Sequence, residues 1–225
     1  GFPRTRIQAI QYGYDPAYFR MDPSLRPQDG APIVIMHGSF DQHHLGAIAR
    51  DAVCSVATAR PSTRFRFVGR ETDGLKRFAA DVRARCPGAR LELAGFVPYA
   101  EIGRELAAAT VGLVPYEESN GTHCAFVAKA VEYLASGLCV ASTPLENLKR
   151  YFHDDPGIRF SGFDGKSLAS VILSWLDTPS AERDRIGRAS SQRVERELTW
   201  DRVARTAVDF VEATVARTKR EGLGN

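Results

Sequence analysis

The stretch AFVAKAVEYLASGLCVAS, residues 125–142, decides how the chain is read. Val127, Ala130, Val131 and Leu134 recur at helical spacing and predict a helix over residues 124–136 whose apolar face packs on a sheet. LCVAS then follows as a short strand. Lys129 and Glu132 fall together on the other side of this helix, beside the small residues Ala125 and Ser136, which leave room for something to approach. Two readings stay open at this point. One is a solvent-exposed i,i+3 ion pair contributing about 0.2–0.5 kcal/mol; the other is an acid and a base turned toward a ligand.

Working outward, the same strand-then-helix unit recurs. IVIMHG closes on Gly38 and leads to a helix over residues 42–59, with Leu45, Ile48, Ala52 and Val56 on one face. RFRFVG closes on Gly69 before a helix over 74–86, and LELAG closes on Gly95 before one over 99–108. TVGLVPY runs into an irregular loop ahead of the central helix, and a helix over 145–152 separates LCVAS from GIRFSG. Three further helices, over 164–176, 180–197 and 199–218, end the chain, the last one capped by Thr199. This alternation predicts an α/β fold: one Rossmann-like, doubly wound domain with about six parallel strands and extra C-terminal helices. Residues 1–30 read as a lead-in with a short strand at RIQAI, 31–198 as the domain, and 199–225 as a C-terminal helix and tail.

Composition narrows the class. The 225 residues are 44% hydrophobic, enough for a sizeable core, and the 30 basic and 27 acidic residues give a net charge of +3. The basic residues are scattered and do not form the stripe expected of a nucleic-acid binder. Cys54, Cys86, Cys124 and Cys139 form no CxxC pair, and reduced thiols in the cytoplasm are expected. No apolar run approaches the length of a membrane span, which leaves peripheral membrane association open. The sequence opens on Gly1 and reads as a piece of a longer protein.

In a sheet of this kind ligands gather beyond the carboxyl ends of the strands. Three of the four turns there open with glycine, at Gly38, Gly69 and Gly95, and Ser39 adds a hydroxyl. Neither GxGxxG after the first strand nor GxxxxGK[ST] occurs, which counts against a dinucleotide fold and a P-loop nucleotidase.

Residues 95–152, GFVPYAEIGRELAAATVGLVPYEESNGTHCAFVAKAVEYLASGLCVASTPLENLKRYF, resemble the C-terminal, donor-binding half of GT-B glycosyltransferases, in particular the family-4-like group (glycosyltransferase group 1). The glycine-phenylalanine-valine turn, GLVPY, and the K..EYLA.G..V.AS pattern carry the likeness. IQYGYDPAYF resembles the linker between the two halves of such enzymes, and LTWDRVA their closing helix.

The resemblance implies a glycosyltransferase that moves a sugar, of hexose type, from a UDP- or GDP-linked donor to an acceptor, without a metal or other cofactor. It makes Lys129 and Glu132 the candidate catalytic residues, Glu132 at the ribose hydroxyls and Lys129 at the donor diphosphate. Gly38 and Ser39 would form a phosphate-side loop, Phe96 and Val97 would line the base, and Arg70 is a candidate second cation. Cys124 stands where many members carry a second glutamate, so Glu117, Glu118 and Asn120 are candidates for the contact to the sugar, and His123 is read as an exposed loop residue. An acceptor-binding N-terminal domain is the implied missing partner, and this chain alone is expected to be inactive. Analogy points to retention of anomeric configuration. The alternatives are a non-catalytic nucleotide-sugar-binding module and an epimerase-like protein of the same architecture.

Overall fold

Three strands at the middle of the sheet are buried on both faces, which requires helices on both sides. The computed structural model describes Pro3, residues 6–26 and residues 30–222. The strands are β1 (Ile33–His37), β2 (Arg64–Val68), β3 (Arg90–Gly95), β4 (Val111–Val114), β5 (Cys139–Ser142) and β6 (Ile158–Phe160), and they form one sheet in the order β3-β2-β1-β4-β5-β6. Every pairing is parallel. Arg64 and Arg66 of β2 pair with Glu92 on β3, so the charged positions of these strands sit toward the sheet edge.

The helices are α1 (Ala47–Ala59), α2 (Asp73–Arg85), α3 (Tyr99–Ala107), α4 (Asn120–Cys124), α5 (Ala128–Ala135), α6 (Glu146–Phe152), α7 (Gly165–Asp177), α8 (Ser180–Glu197) and α9 (Trp200–Gly222). Chain order reverses between β1 and β4, which opens a crevice at the carboxyl ends of those two strands. Among the described residues no helix is long and apolar enough to cross a membrane.

Three local expectations are corrected. Arg6 to Ile10 form no strand. The helix expected over 42–59 begins at Ala47, because the Glu117 carboxylate accepts the Ile48 N–H at 2.9 Å and Asp41 holds the preceding residues in a turn. The helix expected over 124–136 is broken in two. Ser119 and Thr122 form a reciprocal capping box that starts α4, and Asn147 Nδ2 donates to the Cys124 carbonyl at 2.7 Å where it ends. Ala125 and Val127 are extended, and helix resumes only at Ala128.

The far end of α5 is closed by Gly137 in the left-handed region, φ +73°. Leu138 N–H donates to the Tyr133 carbonyl and Gly137 N–H to that of Leu134, each at 2.9 Å, the paired bonds of a Schellman cap. The lead-in is tied to the domain: Tyr14 and Phe19 are buried, Tyr14 N–H donates to the Leu198 carbonyl at 2.9 Å, and Trp200 N–H returns a bond to Tyr14.

Gly187 of α8 lies against Gly137, and a Cβ at position 187 would overlap the Gly137 carbonyl oxygen. Gly187→Ala is therefore expected to lower stability by about 1–3 kcal/mol by forcing α8 away from the end of α5. Urea unfolding measures it, and an unchanged midpoint would mean that this packing yields freely.

Candidate functional site

The break between α4 and α5 creates the site. It leaves the start of α5 at the crevice without a side-chain cap at Val127; the Ala130 N–H donates to the Val127 carbonyl at 3.0 Å, and the N–H groups of Ala128 and Lys129 have no partner within the helix. Lys129 is the second residue of α5 and Glu132 lies one turn on. Both are buried, at 6% and 3% exposure. The exposed ion pair therefore does not exist, and the two side chains diverge.

Lys129 forms no hydrogen bond or ion pair with the described residues. Its ammonium rests 5.0 Å from the centroid of the Tyr116 ring, just beyond β4, and its Cε would lie 3.7 Å from a Cβ at Gly38, just beyond β1. Gly38 has φ +105°, a conformation that leaves this space open. Burial pushes the Lys129 ammonium down to about 8, and the charges of Glu132 and Asp41 only partly offset that.

Glu132 points elsewhere. Tyr99 Oη, at the start of α3, donates to Glu132 Oε1 at 3.1 Å, and His37 Nε2, at the end of β1, lies 3.0 Å from Oε2. The histidine contact has ion-pair distance without the alignment of a hydrogen bond. Burial and then Glu132 raise the Tyr99 phenol well above its ordinary value, so it remains a proton donor to the carboxylate.

Beside these groups lies a largely apolar cavity of about 400 Å³. Gly38, Ser39, Arg70, Phe96, Val97 and Tyr99 line it, with His37 at its inner wall. The Arg70 guanidinium sits 5.6 Å from the centroid of the Phe96 ring, on the cavity side and not beside Lys129. The His44 ring lies 4.4 Å from that of Tyr116, tilted by 60°, with Nδ1 2.9 Å from Asp41 Oδ1, and burial followed by the Lys129 charge lowers its pKa.

The loop after β4 is disposed differently. Glu117 caps α1, so that helix end is already occupied by a carboxylate. Glu118 is exposed and 3.6 Å from His123, Asn120 is exposed at the start of α4, and Cys124 is exposed at its end; none of them lines the cavity. The structure thus brings together Gly38, Ser39, Arg70, Phe96, Val97, Lys129 and Glu132, and leaves Glu118 and Asn120 apart. Sequence reasoning placed Tyr116 at the head of the fourth turn beyond the strands but missed His37, Tyr99 and His44. His37 carried a signal, as the one polar side chain in IVIMH; the other two carried none.

Six parallel strands in the order β3-β2-β1-β4-β5-β6, with helices on both faces, make this a Rossmann-like α/β domain. The chain belongs to the glycosyl transferase-like family, whose model matches residues 48–209. No curated protein matches the sequence at a significant level. Among solved structures, sucrose-phosphate synthase from Thermosynechococcus elongatus superposes with a TM-score of 0.77 at 20% identity, over 93% of this chain and 53% of its own. Anabaena HepE in complex with UDP and glucose gives 0.71 at 17%, over 91% and 56%. The C-terminal domain of LpcC, a group 1 glycosyl transferase from Francisella tularensis, gives 0.64 at 14%, over 84% of this chain and 100% of that domain. The fold is that of one half of a GT-B glycosyltransferase, and the chain spans about half the length of the first two of these neighbours.

Lys129 sets a testable pH signature. Its folded value lies below the ordinary lysine value of about 10.4, so the folded state resists the proton that the unfolded chain keeps. Its burial therefore opposes folding in full below pH about 8, and the cost fades as pH rises from there toward the unfolded value. Lys129→Met is expected to raise stability at pH 7 by up to about 3 kcal/mol and to abolish the gain in stability above pH 8. Equal urea midpoints for the two proteins at pH 7 would show that the ammonium finds a partner in solution.

Proposed function

We propose that this domain holds the nucleotide-diphosphate sugar, UDP- or GDP-linked, for a metal-independent glycosyltransferase of hexosyl type. The observation that carries the reading is Lys129, a buried ammonium without a counter-ion at the uncapped start of α5. Such a group is costly unless an anion arrives to face it. A diphosphate suits the place, because backbone N–H groups at a helix N-terminus and a fixed cation both favour it. Glu132, one turn further on, would take the ribose hydroxyls, and the apolar cavity between Arg70, Phe96 and Val97 would take the base.

Transfer breaks the bond between the anomeric carbon and the diphosphate oxygen as an oxocarbenium-like centre develops. The electron pair stays with the leaving diphosphate, and Lys129, the amides of Gly38 and Ser39 and the start of α5 would stabilise its growing charge. The complex of HepE with UDP and glucose supports a nucleotide-sugar ligand, and the half-length match supports a second domain that brings the acceptor. The four free cysteines fit a reducing compartment, and we place the protein in the cytoplasm, with peripheral membrane contact of the whole enzyme left to that second domain.

Calorimetric titration with UDP and GDP tests the reading. One of them is expected to bind, Glu132→Ala and Lys129→Ala each to weaken it by about 10–100-fold, and wild-type affinity to fall as pH rises through about 8, where Lys129 loses its proton. Binding by neither nucleotide would overturn it. The domain alone is expected to transfer no sugar, since the acceptor lies with its partner domain; transfer by the whole protein separates an enzyme from a non-catalytic binding module.

A further inference from the structure

We propose that Tyr99 and His37 are positioning residues that hold the Glu132 carboxylate in the orientation able to receive both hydroxyls of a vicinal diol. The inference rests on the nucleotide-sugar reading above and deepens it.

An ionised carboxylate offers about four acceptor positions on its two oxygens. Tyr99 Oη occupies one on Oε1 at 3.1 Å, and His37 Nε2 approaches Oε2 at 3.0 Å. Tyr99 thus hydrogen-bonds one oxygen while His37 lies against the other without hydrogen-bond alignment, and each oxygen keeps an acceptor position free. A ribose has two neighbouring hydroxyls to fill them.

The two holders are themselves fixed. The backbone N–H of His37 donates to Tyr133 Oη at 3.2 Å, and the His37 ring stands edge-on to the Tyr133 ring with centroids 5.2 Å apart. The Tyr99 ring stands edge-on to Phe19 at 5.2 Å and Tyr18 at 5.7 Å, both in the lead-in segment. The diol reader is therefore braced from the sheet on one side and from the lead-in on the other.

The arrangement has a second consequence. Lys129 and Glu132 are one helical turn apart, a spacing at which opposite charges pair. With Glu132 drawn toward Tyr99 and His37, no such pair forms, and Lys129 stays free for an anion. The same two holders thus orient the acid and keep it away from the base.

Calorimetry with UDP, GDP and their 2′,3′-dideoxy forms tests this on the domain as it stands, with Tyr99→Phe and His37→Phe. The wild type is expected to prefer the ribose form of whichever nucleotide binds by about tenfold or more. Each variant is expected to shrink that preference to about twofold, the ratio of the two forms being the quantity read. His37→Gln, which keeps an N–H donor, is expected to retain most of the preference. A merely structural role would weaken both forms equally and leave the ratio unchanged, and that result in a wild type that does discriminate overturns the positioning role alone. A wild type that binds the two forms equally overturns it together with the role of Glu132, and one that binds no nucleotide overturns the nucleotide-sugar reading on which it stands.

Discussion

A lysine ammonium buried without a counter-ion is the constraint around which the ligand-facing rim of this domain is organised. Water would solvate that charge far better than the Tyr116 ring and the space beside Gly38 do, so the folded chain carries a standing electrostatic cost at one point. The large apolar core and the fully parallel sheet offset it, and they hold the charge where it is instead of letting it swing to solvent.

Position follows from how α5 is fixed at both ends. Its start is free because the capping box of α4 and the bond from Asn147 end the preceding turn of helix three residues earlier. Its finish is locked by the left-handed Gly137 and by the close approach of α8. One end is thus open to a ligand while the other cannot move, which gives Lys129 and Glu132 defined directions. Glu117 fills the start of α1 with a carboxylate, whereas the start of α5 has no side-chain cap.

The lead-in segment is more than a connector. Tyr14 joins it to the start of α9, and Phe19 and Tyr18 bring it against Tyr99, which in turn touches Glu132. The lead-in therefore reaches Glu132 through one aromatic residue, Tyr99.

The sequence by itself determined the class of fold and singled out Lys129 and Glu132. Strand-helix alternation is a property of local hydrophobic period, so six parallel strands followed from runs such as IVIMH and RFRFV. Lys129 and Glu132 stood out because charge within a small, apolar stretch is itself a local anomaly. Only the tertiary structure decided that both are buried, that they diverge, and that His37, Tyr99, Tyr116 and His44 surround them. Those contacts join residues 13 to 95 positions apart in the chain, and no local pattern encodes them. The break at residues 125–127 was hidden for the same reason: Ala and Val there are compatible with helix, and it was a side chain from residue 147 and the cap at residue 119 that ended it.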